Sequence, residues 1–222
     1  MIEDYAVARK KMVEYDIIRR GIKDELILNA MRMIPRHLFV PEEYQDIAYS
    51  DRPLPIGFEQ TISQPYIVAL MVSMLDICSQ DTVLEIGTGC GYQSAILSLL
   101  CKNVFSIEII PELAKKAKSI LSELELKNVI IKIGDGNEGW NENSPYDGII
   151  ISAAARIIPR TLLRQLKNGG NLVAPVGFPG FQLLEKWSRQ GSNYTKETGI
   201  PVSFVPLVES KRPKSEKKLN SR

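Results

Sequence analysis

A single histidine, His37, among 222 residues narrows the chemistry open to this chain. A Ser-His-Asp triad or a multi-histidine metal site would have to use it. It stands in a helix-to-loop segment, Pro35-Arg36-His37-Leu38, where a partly exposed polar role is expected. The three cysteines, Cys78, Cys90 and Cys101, are odd in number and lack zinc-like spacing. They predict reduced thiols, a cytoplasmic setting and no metal. No stretch approaches the ~20 unbroken apolar residues of a membrane helix. The opening MIEDYAVARKK is charged and has no apolar segment, so no secretory signal is expected. Excess charge is scarce too: 28 Lys and Arg stand against 26 Asp and Glu, a net +2 that makes no case for nucleic acid as partner. Much of that excess lies between Lys211 and Lys218, which predicts a basic, flexible tail over 209–222. What remains is an ordinary globular composition, long enough for one domain with a substantial core over 1–208.

The most informative stretch is Thr82-Val83-Leu84-Glu85-Ile86-Gly87-Thr88-Gly89-Cys90-Gly91-Tyr92. A short apolar run ends in three alternate glycines, and a helical run from Tyr92 to Leu100 follows at once. Such a strand, turn and helix start lets a ligand lie against bare backbone, near free N–H groups and a positive dipole end. A dinucleotide fingerprint would read G-x-G-x-x-G, whereas here the glycines are Gly87, Gly89 and Gly91. Glu85 just before the turn would repel a pyrophosphate but could face a cation. Both points disfavour a nicotinamide dehydrogenase and favour S-adenosylmethionine, which carries a sulfonium and an ammonium and no phosphate. Glu108 ends the next apolar run, Val104-Phe105-Ser106-Ile107, where an acid can hold ribose hydroxyls.

The flanking chain supplies the frame. Residues Ala6 to Ile34 read as two helices broken at Arg19-Arg20-Gly21, the second capped by Asp24 with a stripe of Leu26, Ile27, Ala30, Met31 and Ile34. An irregular, apolar segment from Leu38 to Gln60 is expected to cover something. Ser63 reads first as the N-cap of a helix running through Tyr66 and Leu75, with Pro65 in its first turn. A helix from Pro111 carries Leu113, Ala117, Ile120 and Leu124 on one face. Val129 to Ile133 predicts a buried strand. It is followed by Gly134-Asp135-Gly136, where Asp135 either accepts from an adenine amino group or simply makes a turn. Strands at Tyr146–Ile151 and Leu172–Val176 flank a helix near Pro159 to Leu166. The alternation predicts a doubly wound, mostly parallel α/β sheet over 61–176 behind a helical and loop extension over 1–60. An antiparallel strand pair is expected over 177–208, from the runs Phe181 to Arg189 and Tyr194 to Leu207.

Read together, these segments resemble the protein-L-isoaspartate (D-aspartate) O-methyltransferase family over about residues 9 to 208. The likeness rests on Arg19-Arg20-Gly21-Ile22, Phe39-Val40-Pro41, Pro53-Leu54-Pro55-Ile56-Gly57 and above all Gln60-Thr61-Ile62-Ser63-Gln64-Pro65. It continues through Leu84 to Gly89, Gly91-Tyr92-Gln93, Ser106-Ile107-Glu108, Gly134-Asp135-Gly136 with Gly139-Trp140, and Phe204-Val205-Pro206-Leu207. The glycine turn is shared by many methyltransferases; the Gln60 to Pro65 segment is much more particular. The resemblance implies the S-adenosylmethionine-dependent methyltransferase fold, with the cofactor at the Glu85 to Gly91 turn and S-adenosylhomocysteine as product. It puts Glu108 on the ribose, Asp135 and Gly136 at the adenine, and Thr61, Ile62 and Ser63 over the methyl group, with Ser63 in the active-site position. Cys90 stands where serine is frequent in the family, and Ile109, beside the cofactor, where a basic or polar residue is frequent.

The implied reaction is methylation of the free α-carboxylate of isoaspartyl residues in damaged proteins and peptides, after which a succinimide forms and hydrolyses. That carboxylate, with a pKa of roughly 3.5, is already ionised at neutral pH and needs no general base, which suits a chain poor in histidine. A substrate peptide is expected to lie extended between the Pro53 to Gly57 loop, with Pro55 and Ile56, on one side and the Val202 to Val205 strand, with Val202 and Phe204, on the other, held mainly by backbone hydrogen bonds. The rival readings are a methyltransferase for a small molecule or RNA, and a non-catalytic cofactor-binding module.

Overall fold

The computed structural model describes residues 4–208, so the basic tail lies outside the described residues. Helix α1 (Tyr5–Lys11) starts where the Asp4 carboxylate accepts the Ala6 N–H. The helical path then widens into a π-turn at Met12–Ile17 and tightens at Ile18–Arg20. Helix α2 (Glu25–Met33) is capped by Asp24, whose side chain accepts from the N–H groups of Leu26 and Ile27. Ile27, Ala30, Met31 and Ile34 are buried as their spacing predicts, but Leu26 is 66% exposed and Leu28 joins the core instead. The apolar stripe is shifted towards Leu28.

The segment between the helices and the sheet is built of tight turns. Short 3₁₀ turns at Arg36–Phe39 and Glu42–Ile47 lead into a hairpin of β1 (Leu54–Gly57) and β2 (Gln60–Ile62). Helix α3 (Pro65–Leu75) follows. The serine expected to cap it does not: Gln64 holds the cap position and no side chain of that residue closes it. Asp51 does so from a distance, its carboxylate accepting the Tyr66 N–H at 3.2 Å and the Gln64 amide at 2.6 Å.

Beyond α3 the α/β alternation appears as expected: β3 (Thr82–Ile86), α4 (Tyr92–Ser98), β4 (Asn103–Glu108), α5 (Pro111–Glu123) and β5 (Val129–Ile133). Then come β6 (Tyr146–Ile151), α6 (Arg160–Gln165), β7 (Leu166–Phe178), β8 (Phe181–Gln190) and β9 (Asn193–Val202). One seven-stranded sheet results, in the order β5-β4-β3-β6-β7-β8-β9, parallel as far as β7 and antiparallel beyond it. This is the doubly wound, mostly parallel α/β class with a C-terminal antiparallel pair.

Both faces of the central strands are covered, which is why they read as unbroken apolar runs. Val83, Val104, Ile150 and Val173 belong to the cluster that includes the N-terminal helices and α3 to α5. Leu84, Ile149, Ile151 and Leu172 pack on the other side with Leu162 and Leu163 of α6. The expected burial of β5 fails: it is an edge strand in which only Ile131 is buried, and Ile130 and Ile133 are about half exposed. The last run also ends earlier than expected. β9 stops at Val202, and the next residues cross to β6, where Ala154 pairs with Pro206 and its N–H donates to the Val205 carbonyl at 2.8 Å.

Candidate active site

In a parallel sheet the carboxyl ends of the strands share one edge, and a ligand binds beyond it. Here that edge carries the glycine turn after β3, Glu108 at the end of β4, Gly136 after β5 and Ser152 after β6. Over it fold the β1–β2 hairpin and the segment after β9. Two cavities lie between. The first, about 420 Å³, is lined by Gly87, Thr88 and Gly89, by Glu108 and Ile109, and by Gly136. Thr61, Ile62 and Ser63 line it from the hairpin side. The second, about 370 Å³, is lined by Pro53, Gln64, Ile67, Val202, Ser203 and Phe204. The two share a wall formed by Thr61, Ser63, Ser152 and Val205.

The first cavity has the features of a ligand site built on bare backbone. Gly89 takes a φ of +55°, in the left-handed region that favours glycine. Glu108 is buried, its two carboxylate oxygens each accepting one backbone N–H, from Gly89 at 2.7 Å and from Ile110 at 2.9 Å. A carboxylate has about four lone-pair sites, so acceptor capacity remains for hydroxyls in the cavity. A side chain at Gly136 would put its Cβ 2.3 Å from Ile86 Cγ2, so only glycine lets the β5 turn close over β3.

Five of the expected site residues line neither cavity. Glu85 lies beneath the turn instead of facing the cavity: it is fully buried and accepts from Gln93 Nε2 at 3.0 Å, from Ser106 Oγ at 2.7 Å and from Ser94 Oγ. Burial pushes its carboxyl up to about 7, against the pull of those three hydrogen bonds. Gly91 has a packing role, its missing Cβ leaving room for Ala117 of α5 at 3.1 Å. Asp135 turns back on its own chain, accepting from Asn137 N and Nδ2, both at 2.9 Å. Pro55 and Ile56 line neither cavity; Pro55 is exposed and Ile56 is buried under the hairpin, near Gly89.

Sequence reasoning also passed over three residues. Arg36 is completely buried, and none of the acids among the described residues forms an ion pair with it. Its Nε donates to the Ala48 carbonyl at 2.7 Å and its Nη2 to the Ser63 carbonyl at 2.8 Å, while Nη1 has no partner among the described residues. Its guanidinium carbon stands 4.9 Å from the centre of the Tyr92 ring, and burial lowers its pKa. Arg36 therefore anchors the backbone of Ser63, and nothing in the local pattern announces it. Ser152 and Gln93 did leave a signal. Ser152 is the first residue past an apolar strand at the ligand edge, and Gln93 stands in the first turn of the helix after the glycines. Among the described residues no group of three or more His, Cys, Asp or Glu could hold a metal ion. No described helix is long and apolar enough to cross a membrane.

A parallel sheet with this glycine turn, an acid at the end of the neighbouring strand and a backbone-lined cavity between them defines the S-adenosylmethionine-dependent methyltransferase class. Within that class, residues 7–212 match the family described as protein-L-isoaspartate(D-aspartate) O-methyltransferase. Over 203 residues the chain is 51% identical to the protein-L-isoaspartate O-methyltransferase of Dictyoglomus turgidum, covering 91% of this chain and 92% of that one. The Syntrophotalea carbinolica protein of the same name is 48% identical over 206 residues, 92% and 95% of the two chains. A solved protein-L-isoaspartate O-methyltransferase superposes with a TM-score of 0.82 at 29% identity, over 89% of this chain and 65% of that longer one. The fold is shared as well by a Plasmodium falciparum chain solved with S-adenosyl-L-homocysteine, at TM-score 0.79, 23% identity and coverage of 91% and 99%. The chain belongs to the protein-L-isoaspartate(D-aspartate) O-methyltransferase family, the one its motifs resemble.

Proposed function

We propose that this chain transfers a methyl group from S-adenosylmethionine to the free α-carboxylate of L-isoaspartyl residues in damaged proteins and peptides, opening a repair that proceeds through a succinimide. The observation that carries this reading is the wall between the two cavities: it presents hydroxyls and no titratable group. An acceptor that needed deprotonation would require a base there. A carboxylate with a pKa of roughly 3.5 does not.

In this reading the first cavity holds the cofactor. Gly87, Thr88 and Gly89 form its floor, Glu108 takes the ribose hydroxyls, Ile109 and Gly136 flank the base, and Thr61 and Ile62 cover it. Bound there, S-adenosylmethionine supplies a methyl group on a positively charged sulfur. The residues of this chain orient the acceptor and exclude water. Ser63, at the shared wall, donates one hydrogen bond to the carboxylate, and Arg36 fixes the backbone from which it does so. Val202 and Phe204 receive the peptide in the second cavity, with Pro53 opposite. Positioning of this kind lowers a barrier by roughly 7–11 kcal/mol. A cytoplasmic setting fits the free cysteines, and the net charge of +2 speaks against nucleic acid as partner.

One experiment tests the reading. The protein is incubated with labelled S-adenosylmethionine and a peptide containing isoaspartate, beside its twin with normal aspartate. Base-labile label in the first peptide only is the expected result. Ser63→Ala should retain affinity for S-adenosylhomocysteine and lose about 10- to 100-fold in kcat/KM, the worth of a hydrogen bond to a charged group. Equal labelling of both peptides would refute the assignment.

A further inference from the structure

Ser152 shares the wall between the cavities with Ser63, but its hydroxyl is held in a different way. Its backbone is fixed on β3, the Ser152 N–H donating to the Ile86 carbonyl at 2.8 Å. Its Oγ accepts from Gln93 Nε2 at 2.7 Å. The same amide nitrogen donates to Glu85 Oε1 at 3.0 Å, so both amide hydrogens are committed. With Glu85 ionised, reversing the amide would set the Gln93 carbonyl against that oxygen. The other oxygen of Glu85 is already taken by Ser94 and Ser106. Once the pH is above about 7, where Glu85 is ionised, the direction of the bond to Ser152 is thus fixed from inside the core. A serine hydroxyl has one hydrogen and two lone pairs. With one lone pair filled by Gln93, the Ser152 hydrogen is turned away from the amide and left for a ligand.

We propose that Ser152 donates a second hydrogen bond to the substrate carboxylate, with Gln93 as the residue that aims it. This rests on the reading of the second cavity as the acceptor site. One hydrogen bond from Ser63 places a carboxylate but leaves it free to rotate about that contact. A second donor on the same wall restrains the rotation and presents one oxygen for methylation. The buried carboxylate beneath the glycine turn thereby gains a task at a distance: it holds Gln93, and Gln93 holds the hydroxyl.

The test uses the full-length chain with an isoaspartyl peptide. Ser152→Ala should lower kcat/KM about tenfold, the loss of one hydrogen bond to a charged group, and weaken peptide affinity measured by calorimetry in the presence of S-adenosylhomocysteine. Affinity for S-adenosylhomocysteine itself should stay within about twofold. Ser152→Thr, which keeps the hydroxyl, should recover most of the loss, and Ser152→Cys, a poor donor of similar size, should behave like alanine. Combined with Ser63→Ala, the loss should fall short of the product of the single losses, because both hydroxyls act on one group. Wild-type kinetics in Ser152→Ala beside an impaired Ser63→Ala would overturn this inference alone. Wild-type kinetics in both would overturn the acceptor-site reading itself. A parallel drop in S-adenosylhomocysteine affinity in the alanine and cysteine variants would place Ser152 on the cofactor or in the fold, and overturn the proposal.

Discussion

Glu85 is an ionisable residue whose partners come from two elements: Gln93 and Ser94 from α4, and Ser106 from β4. Its carboxyl is pushed up from 4.5 to about 7 by burial, so the folded chain binds a proton there more tightly than the unfolded chain. The sign follows directly. Stability from this group is fully present below the unfolded value of 4.5 and is lost as the pH rises through about 7. Between pH 5 and 8 the loss is about 2–3 kcal/mol at 1.36 kcal/mol per unit. Glu85→Gln should remove it, so urea unfolding of the two proteins should diverge with rising pH in the variant's favour. Parallel curves would show that Glu85 is not the group responsible. The orientation of this residue was not legible in the sequence, and the reason lies in the strand. Val83, Leu84 and Ile86 are all buried, because β3 is covered on both faces, so no polar alternation reports which way Glu85 points. The glycines beside it were legible because their constraint is local to the backbone.

At the scale of elements, the junction between the hairpin and α3 decides where Ser63 stands. Its pattern, serine followed by proline and an apolar helix, matches a capped helix start, yet the cap comes from Asp51. That carboxylate also pairs with Arg20 at 2.7 Å, whose guanidinium lies 3.4 Å from the centre of the Tyr66 ring. A cap supplied from 15 residues away leaves no mark in the local pattern. The sequence therefore allowed a cap or a catalytic group at Ser63, and only the packing frees the serine for the cavity wall. Asp51→Ala should cost about 1–2 kcal/mol of stability, in the range of a lost N-cap. It should also lower kcat, since the turn that carries Ser63 is held on one side by Arg36 and on the other by Asp51. Asp51→Asn keeps an acceptor for the Tyr66 N–H and should recover most of both. Equal melting temperatures for the alanine variant and the wild type would remove Asp51 as the cap.

On the scale of the whole molecule, the two cavities draw on different parts of the sheet. The first is floored by the parallel strands, which announce themselves as apolar runs ending in glycine or acid. The second is walled by the antiparallel extension, whose fold was expected but whose last turn was not. A run read as strand to Leu207 leaves the sheet after Val202 because two separate contacts redirect it. Gln182, buried on β8, holds Phe204 from both sides, donating to its carbonyl at 3.0 Å and accepting its N–H at 2.6 Å. Ala154, after β6, holds Val205 and Leu207 by backbone bonds of 2.8 and 2.9 Å. Phe204 lines only the second cavity, Val205 lines both, and Pro206 and Leu207 line only the first. On the proposed function, the two anchors therefore hold separate sites for cofactor and peptide. Gln182→Ala removes the hold on Phe204 and leaves the Ala154 bonds in place. The expected outcome is a rise of about fivefold to tenfold in KM for isoaspartyl peptides, equivalent to one or two hydrogen bonds, with affinity for S-adenosylhomocysteine near the wild-type value. If both affinities fell together, residues 203–207 would act as one unit and the division of labour between the two anchors would be wrong.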